Sequence, residues 1–165
     1  MKKKLFKSLS LVKKKFKKNQ YYYYFEVPDF SILIPKIKNK YLLVFQKREP
    51  INKKTLEFPS GWVDKYEKPL VTSVRETYEE TGYKSIIKPK KIIDFHEEPG
   101  RLSSKVHVYY SNKLAKIGKS EAGIKIYLLT EKEIFKSIKN KKFSNGTHIA
   151  AFLAYLSKYK FTFNN

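Results

Sequence analysis

The segment from Pro69 to Gly82 is the part of the sequence that most restricts the fold. Proline is favoured as the first residue of a helix and glycine as the residue just beyond its end, so this segment predicts one α-helix over residues 69–81. At about 3.6 residues per turn, one face of the helix collects residues suited to a core: Leu70, Val74, Thr77, Tyr78 and Thr81. One flank collects three carboxylates: Glu76, Glu79 and Glu80.

These three glutamates are neighbours on the helix surface and repel one another. Like charges at such spacings destabilise a helix by about 0.2–0.5 kcal/mol per pair. The chain has a formal net charge of +21, yet six of its 15 acidic residues lie within residues 57–80. Clustered carboxylates without neighbouring His or Cys are hard oxygen ligands, which suit Mg²⁺ or Mn²⁺. The alternative is a solvated acidic face that the surrounding lysines balance.

The composition indicates one globular domain without disulfides. A chain of 165 residues is long enough for one full core and short for two. It has no cysteine, which excludes a thiolate metal site and fits a reducing compartment, so we expect the cytoplasm. No apolar run reaches the roughly 18 residues of a membrane-spanning helix. Only three of the 36 basic residues are arginines, which makes them candidates for bidentate contacts: Arg48, Arg75 and Arg101.

Residues 1–20 are interpreted as a basic N-terminal tail that precedes a domain over residues 21–165. They contain nine lysines and no acidic residue. A short basic amphipathic helix is the alternative to a solvated tail, since apolar residues fall at helical spacing: Leu5, Leu9, Val12 and Phe16. We favour the solvated tail over contact with an anionic membrane or a nucleic acid, and we expect no obligatory nucleic-acid partner.

Strand patterns dominate the first two thirds of the chain, and helix patterns dominate its end. Apolar and aromatic runs bounded by Pro, Gly or Asn predict strands at 21–27, 30–34, 41–46, within 55–63, and at 90–96, 105–112 and 123–129. A capping box from Thr130 to Glu133 begins a predicted helix, and residues 145–160 predict a last, apolar helix. The fold class is therefore a single α/β domain.

The spacing around the acidic helix resembles the Nudix box, G-x5-E-x7-R-E-U-x-E-E-x-G-U, in which U is an apolar residue. Gly61, Glu67 and the run from Arg75 to Tyr83, RETYEETGY, match every fixed position. Thr77 departs from the pattern at one U position, and the aromatic Tyr83 fills the other. A spaced match of this length is far more specific than a lone glycine motif.

The resemblance implies a fold, a metal site and an ion pair. The Nudix fold is a mixed β-sheet sandwiched between α-helices, in which the box forms a loop, a helix and a second loop. The ligands implied for Mg²⁺ or Mn²⁺ are Glu76, Glu79, Glu80 and the backbone carbonyl of Ser60. Glu67 is implied to pair with Arg75 and so to orient the metal-binding helix.

Sequence outside the box is similar to the ADP-ribose pyrophosphatase branch of the family. Residues 42–50, LLVFQKREP, contain a Q-x-R-x-P stretch like the one that precedes the box in that branch. Pro99 lies 16 residues beyond Tyr83, where the branch has a proline. The implied substrate contacts are Arg48, Arg101, Pro99 and Gly61. Glu121, in the loop before the last strand, is the implied general base or additional metal ligand.

The resemblance implies a hydrolase that cleaves the pyrophosphate bond of ADP-ribose or a related nucleoside diphosphate sugar, and that forms a homodimer. The products are AMP, or another nucleoside monophosphate, and a sugar phosphate. Two alternatives stay open: a Nudix housecleaning hydrolase of nucleoside triphosphates or dinucleoside polyphosphates, and a non-catalytic Nudix-fold regulator that binds nucleotides or RNA. The intact glutamates count against the regulator.

Recognition of the adenine base is less strongly implied. Ser104 occupies a position that is commonly acidic in the branch, which weakens the case for strict adenine selectivity. Tyr22, Tyr24 and Phe30 are candidates to stack on adenine, although a tyrosine-rich strand is more often part of a core or a sheet surface.

Overall fold

The computed structural model describes residues 1–6 and 8–160. The strands are β1 (Lys2–Phe6), β2 (Leu9–Lys17), β3 (Gln20–Glu26), β4 (Phe30–Ile37), β5 (Lys40–Arg48), β6 (Lys53–Glu57), β7 (Ser60–Trp62), β8 (Tyr83–Ser85), β9 (Lys90–Phe95), β10 (Val106–Ser111), β11 (Leu114–Lys116) and β12 (Lys125–Leu129). The helices are α1 (Pro69–Thr81), α2 (Glu131–Lys139) and α3 (Gly146–Tyr159), with a 3₁₀ turn at Glu49–Ile51. Within these ranges no helix has the length and apolar character needed to cross a membrane.

The central sheet is mixed and has seven strands. Its main path is β12-β5-β4-β10-β9, while β6 pairs with β5 and β7 pairs with β4. Strands β4 and β10 run parallel, and the other pairs of this sheet are antiparallel. Two smaller sheets, β1-β2-β3 and β8-β11, complete the fold. The pairing of β7 with β4 places the start of the box segment beside the centre of the large sheet.

Helices cover both faces of the central sheet. Ile32 and Ile34 in β4 belong to the core that also contains Phe152 of α3. Side chains alternate between the faces of a strand, so Ser31 points the other way, and its hydroxyl donates to the carbonyl of Pro69 in α1 at 2.6 Å. Continuous apolar strands such as β4 and β5 are typical of sheets covered on both sides. The predicted α/β fold, with a mixed sheet sandwiched between helices, is confirmed.

Helix α1 has the predicted bounds, and its buried face matches the predicted one only in part. Its buried residues are Thr72, Ser73, Thr77, Glu80 and Thr81. Tyr78, which the helical spacing places on the core face, is 39% exposed. Small hydroxyl residues can be buried here because the helix satisfies them: Thr77 Oγ1 donates to the Ser73 carbonyl at 2.7 Å. The sequence periodicity predicted the helix bounds and the burial of Thr77 and Thr81 correctly, and it was wrong for Tyr78.

Residues 2–6 and 9–17 form strands, so the predicted amphipathic helix is wrong, while the division into residues 1–20 and a domain over 21–165 stays a prediction. β2 and β3 are joined by a hairpin whose turn includes Asn19 with a φ of 58°. The proposed boundary between residues 20 and 21 falls one residue inside β3. The aromatic run of β3 offers β2 a full set of backbone partners, such as Tyr24 opposite Val12. This pairing outweighs the weak helical spacing of the apolar residues.

Candidate active site

Arg75 is the centre of an acidic cluster formed by α1 and the loop before it. Its guanidinium donates to both oxygens of Glu67, from Nε at 3.1 Å and from Nη2 at 2.9 Å. Nη1 donates to Glu76 at 2.7 Å and to Glu79 at 3.0 Å. The carboxylate of Asp64 lies 3.5 Å from Nη2. The hydrogen bonds between Glu67 and Arg75 raise the pKa of Arg75 and lower the pKa of Glu67, so both side chains are charged at neutral pH.

The loop that carries Glu67 is held by short-range bonds. The Glu67 amide donates to the Asp64 carbonyl at 2.9 Å, and the Thr72 hydroxyl donates to the Glu67 carboxylate at 2.6 Å. Tyr66 adopts a left-handed φ of 71°, which turns the chain back toward the helix. The loop and the first turn of α1 therefore present Glu67 to Arg75 as one unit.

Glu80 is buried at the junction of α1, β7 and β5. One carboxylate oxygen accepts from the Ser60 amide at 3.1 Å, and the other accepts from the Gln46 side chain at 3.3 Å. Burial raises the pKa of Glu80 to about 8. The two groups that donate to the Glu80 carboxylate, a backbone amide and a side-chain amide, are both uncharged, so they do not neutralise its negative charge. The hydroxyl of Ser60 is also buried, and it has no hydrogen-bond partner in the part of the chain that the structure describes.

Gly61 leaves room for the carboxylate of Glu76 to lie directly against the backbone. A Cβ at Gly61 would lie 2.2 Å from both Cδ and Oε1 of Glu76. Burial also raises the pKa of Glu76, partly opposed by the charge of Arg75. The first glycine of the box is therefore required for steric reasons, because only a residue without a side chain lets the carboxylate of Glu76 approach strand β7 this closely.

These groups fit a hard divalent cation by their chemistry. Carboxylate and carbonyl oxygens with no sulfur or imidazole nearby suit Mg²⁺ or Mn²⁺, and the buried Glu80 accepts from the amide of Ser60, whose own hydroxyl has no hydrogen-bond partner among the described residues. Over residues 1–6 and 8–160, no three His, Asp or Glu side chains are already arranged to hold a metal. Arg75 instead supplies positive charge to Glu76 and Glu79, so a cation would compete with its guanidinium.

Arg48 is held by a buried carboxylate. Its guanidinium makes a bidentate ion pair with Glu57, whose side chain is fully buried and also accepts from Thr55. Burial alone would raise the pKa of Glu57, but the hydrogen bonds from Arg48 and Thr55 lower it to about 2. His148 of α3 lies 3.5 Å from Glu57, and burial lowers the pKa of His148 to about 4, which keeps it neutral. Arg48 is therefore oriented by β6 and α3.

A cleft of about 520 Å³ opens beside the acidic cluster. Its box side is formed by Ser60, Gly61, Asp64, Arg75 and Glu76. Its other walls are formed by Phe30, Trp62, Arg48, Glu97, Asn145 and Thr147. Phe30 and Trp62 pack edge to face with ring centroids 5.2 Å apart. The cleft thus combines carboxylates, one guanidinium at each side and an aromatic wall.

Six predicted residues lie outside this cleft lining: the box residues Glu67, Glu79 and Glu80, and the more distant Pro99, Arg101 and Glu121. Pro99 and Arg101 are exposed in the loop between β9 and β10, where the Arg101 amide donates to the Glu98 carbonyl at 2.9 Å. Glu121 is exposed, but its amide donates to the Glu79 carbonyl at 3.1 Å. The structure therefore places the backbone of Glu121 against the acidic helix and leaves Pro99 and Arg101 at a separate edge.

Several residues of the site carry no signal in the sequence that would identify their contacts. Gln46 was part of the quoted Q-x-R-x-P stretch, yet nothing in the sequence indicated that its amide contacts Glu80. Trp62 follows the first box residue, and only the β4–β7 pairing brings it beside Phe30. Glu97, which accepts a hydrogen bond from Thr147, had no detectable signal because 50 residues separate the two.

The architecture is a mixed sheet between helices, with an acidic loop–helix–loop packed beside its central strand β4. A solved structure described as an ADP compounds hydrolase has the same fold, with a TM-score of 0.75 over 91% of this chain and 86% of that chain, at 15% sequence identity. The family model of the NUDIX domain matches residues 26–146. The chain belongs to the Nudix family.

Two characterised relatives share parts of the sequence. A methanol dehydrogenase activator from Bacillus methanolicus is 32% identical over 120 residues, which are 69% of this chain and 64% of that protein. An ADP-ribose pyrophosphatase from Bacillus subtilis (strain 168) is 35% identical over 85 residues, which are 52% of this chain and 45% of that protein. The aligned regions thus span about half to two thirds of these relatives.

Proposed function

We propose that the protein is a Nudix pyrophosphohydrolase that uses Mg²⁺ or Mn²⁺ and cleaves ADP-ribose or a related nucleoside diphosphate sugar. The observation that carries the proposal is the group of three carboxylates on α1 beside a cleft with an aromatic wall: Glu76 and Glu79 contact Arg75, and the buried Glu80 accepts from the Ser60 amide. A binding module without catalysis has no need for three adjacent carboxylates, whose mutual repulsion destabilises the helix.

The residues that would hold the cation are Glu76, Glu79, Glu80 and the backbone carbonyl of Ser60. When bound, a divalent cation neutralises the diphosphate, lowers the pKa of a bound water and stabilises charge that develops during attack on phosphorus. Glu67 and Arg75 position the helix, since their bidentate pair fixes one end of the acidic cluster.

Arg48 is the proposed contact for the diphosphate within the cleft. Its ion pair with the buried Glu57 fixes the guanidinium plane, so little conformational entropy is lost when an anion binds. Arg101 is assigned a phosphate or ribose contact as well, and Pro99 is assigned to the shape of that loop. Since both lie outside the cleft lining, these two roles require a longer substrate or a movement of the loop.

Glu121 is the proposed general base or additional metal ligand. The hydrogen bond from its amide to the Glu79 carbonyl tethers the residue to the end of α1, and its side chain is exposed. The preceding part of this loop is tethered too, because the Ile117 amide donates to the Gly82 carbonyl at 2.9 Å. The loop therefore holds Glu121 near the acidic cluster, with its carboxylate exposed to solvent.

Phe30 and Trp62 are the proposed contacts for the base. Their rings line the same cleft as Arg48, so a nucleoside and its diphosphate can be bound together. An aromatic wall stacks on any base, which supports a preference among nucleotide sugars rather than strict selectivity for adenine. Tyr22 is engaged elsewhere, because its hydroxyl donates to the Gly100 carbonyl.

A substrate panel with Mg²⁺ tests the proposal. The panel contains ADP-ribose, other ADP-sugars, UDP- and GDP-sugars, NADH, dinucleoside polyphosphates and nucleoside triphosphates. We expect ADP-ribose to have the highest kcat/KM and to yield AMP and ribose 5-phosphate. Triphosphates cleaved better than every sugar-linked diphosphate would refute the substrate class and leave the metal chemistry in place. No cleavage of any compound would refute the hydrolase.

A further inference from the structure

We propose that His148 is a positioning residue for Arg48, whose imidazole becomes a hydrogen-bond donor to the buried Glu57 when the Arg48 guanidinium binds the diphosphate of a substrate. The inference rests on the proposed function, because it concerns the diphosphate contact that is assigned to Arg48 there. His148 lies in the first turn of α3, and its side chain is fully buried. Thr147, the residue before it, lines the cleft together with Arg48. The start of α3 therefore connects the cleft with the ion pair of Arg48 and Glu57.

A backbone contact of His148 fixes the tautomer of its ring. The Phe58 amide donates to Nδ1 at 3.2 Å. A ring nitrogen that accepts from an amide carries no hydrogen, so the neutral imidazole has its hydrogen on Nε2. Nε2 lies 3.5 Å from Oε2 of Glu57, which is longer than the usual hydrogen-bond distance of about 2.7–3.2 Å. Within the described part of the chain Nε2 has no hydrogen-bond partner. His148 thus holds a donor beside Glu57 without bonding to it.

The two oxygens of Glu57 are bonded unequally. Oε1 accepts from the Thr55 hydroxyl and from Arg48 Nε at 3.0 Å. Oε2 accepts from Arg48 Nε at 3.2 Å and from Arg48 Nη2, so its hydrogen bonds within the described residues all come from this guanidinium. Oε2 is also the oxygen that Nε2 of His148 approaches. The imidazole therefore lies beside the oxygen that loses most if the guanidinium turns away.

A diphosphate bound at Arg48 would compete with Glu57 for the guanidinium. Because Nε and Nη2 donate to Glu57, Nη1 remains to bind an anion, and a second contact to the anion requires the guanidinium to turn. Glu57 is fully buried, and a buried carboxylate that loses its partner is strongly destabilised. A donor at 3.5 Å reaches hydrogen-bond distance by a shift of less than about 1 Å. The Nε2–H of His148 would thus keep Glu57 bonded while Arg48 turns toward the anion.

Two substitutions of His148 separate the roles of its ring nitrogens. His148→Asn keeps an oxygen that can accept from the Phe58 amide, but its side chain is too short to reach Glu57. His148→Gln is long enough to place an amide donor beside Glu57, and it leaves the Phe58 amide without its acceptor. For the best substrate of the panel, we expect His148→Asn to raise KM at least about fivefold with kcat within about twofold of wild type. His148→Gln is expected to keep KM within about twofold of wild type and to have the lower Tm of the two variants.

Opposite rankings of the two variants by KM and by Tm distinguish positioning from a purely structural role. A structural role predicts that the less stable variant also has the higher KM. An unchanged KM in His148→Asn, or an equal rise of KM in both variants, would overturn the proposal.

Two further variants show whether the effect passes through the ion pair. Arg48→Ala/Glu57→Gln removes both charges, so no buried charge is left unpaired, and adding His148→Asn is expected to cause no further rise in KM. Phe152→Leu is the packing control, because Phe152 is buried one turn farther along α3 and its truncation is expected to lower Tm without raising KM. A further fivefold rise in the first case, or a similar rise in Phe152→Leu, would show that His148 acts through the packing of α3 and would reject the proposal.

Nuclear magnetic resonance of ¹⁵N-labelled wild-type protein tests the exchange of donors without any substitution. We expect the imidazole of His148 to carry its hydrogen on Nε2, and this hydrogen to shift downfield when ADP-ribose is added without divalent cation, as its bond to Glu57 shortens. A hydrogen on Nδ1, or an unchanged Nε2–H while the Arg48 Nε–H signal shifts, would contradict the proposal.

Failure of this inference is distinguishable from failure of the proposed hydrolase. If the wild-type protein binds ADP-ribose without cleaving it, dissociation constants from calorimetry replace KM. The same ranking of the His148 variants would then support the positioning role and leave only the hydrolase refuted. Normal cleavage with wild-type KM in every His148 variant would refute only the positioning role, and no binding of any compound in the panel would refute both.

Discussion

Replacing Gly61 by alanine tests the metal-site geometry with a single methyl group. The new Cβ would lie 2.2 Å from Cδ and Oε1 of Glu76, whereas ordinary contact begins at 3.4 Å. The carboxylate must therefore move by at least about 1.2 Å. Metal–oxygen distances tolerate about 0.2 Å, and a misplacement of about 1 Å in an active site costs about 100-fold in rate. We expect kcat for ADP-ribose to fall at least about 100-fold and the required Mg²⁺ concentration to rise.

The fold should tolerate this substitution. Gly61 is not among the glycines with positive φ, so alanine fits its backbone, and the clash involves only the mobile end of a side chain. We expect Gly61→Ala to change the unfolding free energy by less than about 1 kcal/mol, which corresponds to a shift in Tm of at most about 2–4 °C. Gly146→Ala is the matched control, because a Cβ there has no neighbour within 4 Å.

A double variant shows whether Gly61 acts only through Glu76. If it does, adding Gly61→Ala to Glu76→Gln causes no further loss of activity, because the displaced ligand is already gone. Wild-type turnover and wild-type Mg²⁺ dependence in Gly61→Ala would refute the placement of Glu76 in the metal site. Equal losses in Gly61→Ala and Gly146→Ala would show that the effect is not specific to that carboxylate.

Four further predictions concern charged groups. Glu80→Gln is expected to abolish hydrolysis, with a Tm at pH 8 equal to or above wild type, because a carboxyl whose pKa burial raises to about 8 opposes folding as it ionises. Arg75→Ala is expected to lower kcat at least about tenfold and to lower Tm, because it leaves the carboxylate of Glu67 without its bidentate partner. Glu121→Gln is expected to lower kcat more than about tenfold with little change in KM, as for a group that acts in the chemical step. Glu57→Gln is expected to lower the unfolding free energy at pH 7, and the difference from wild type should shrink as pH falls from 4.5 to about 2.

The sign of the Glu57 effect follows from its lowered pKa. A carboxyl with a lower pKa in the folded state stabilises the fold above its ordinary pKa and loses that contribution as it is protonated. Chemical denaturation at several pH values measures this, and a difference that stays constant down to pH 2 would contradict it. Normal hydrolysis by Glu80→Gln would refute the role of Glu80 as a metal ligand. An Arg75→Ala variant that matches wild type in both Tm and rate would refute the positioning role of Arg75. A wild-type kcat in Glu121→Gln would refute the catalytic role of Glu121.

The bounds of helix α1 were predictable because they depend on residues at the two ends of the helix. Pro69 and Gly82 delimit α1 in the structure as they do in the pattern, because a proline at the first position and a left-handed glycine at the end act locally. The Thr130–Glu133 capping box is present at the start of α2 for the same reason. The bidentate pair of Glu67 with Arg75 spans eight residues and follows from the box spacing that the family resemblance supplied. The ligand roles of the glutamates stay predictions.

Contacts between distant parts of the chain were not predictable from a single sequence. The parallel pairing of β4 with β10 joins segments about 75 residues apart, and no local pattern encodes it. The bond between Gln46 and Glu80, and the approach of His148 to Glu57, depend on the same assembly of strands and helices.

The sequence by itself determined the acidic helix, its bounds, the family and the chemical character of the site. Only the tertiary structure decided which residues of α1 are buried, that residues 9–26 form a hairpin, and that Arg48 but not Arg101 lines the cleft. The physical reason is that caps and helix spacing depend on residues a few positions apart. Burial and strand pairing depend instead on which distant segments of the chain pack against a helix or pair with a strand in the folded protein.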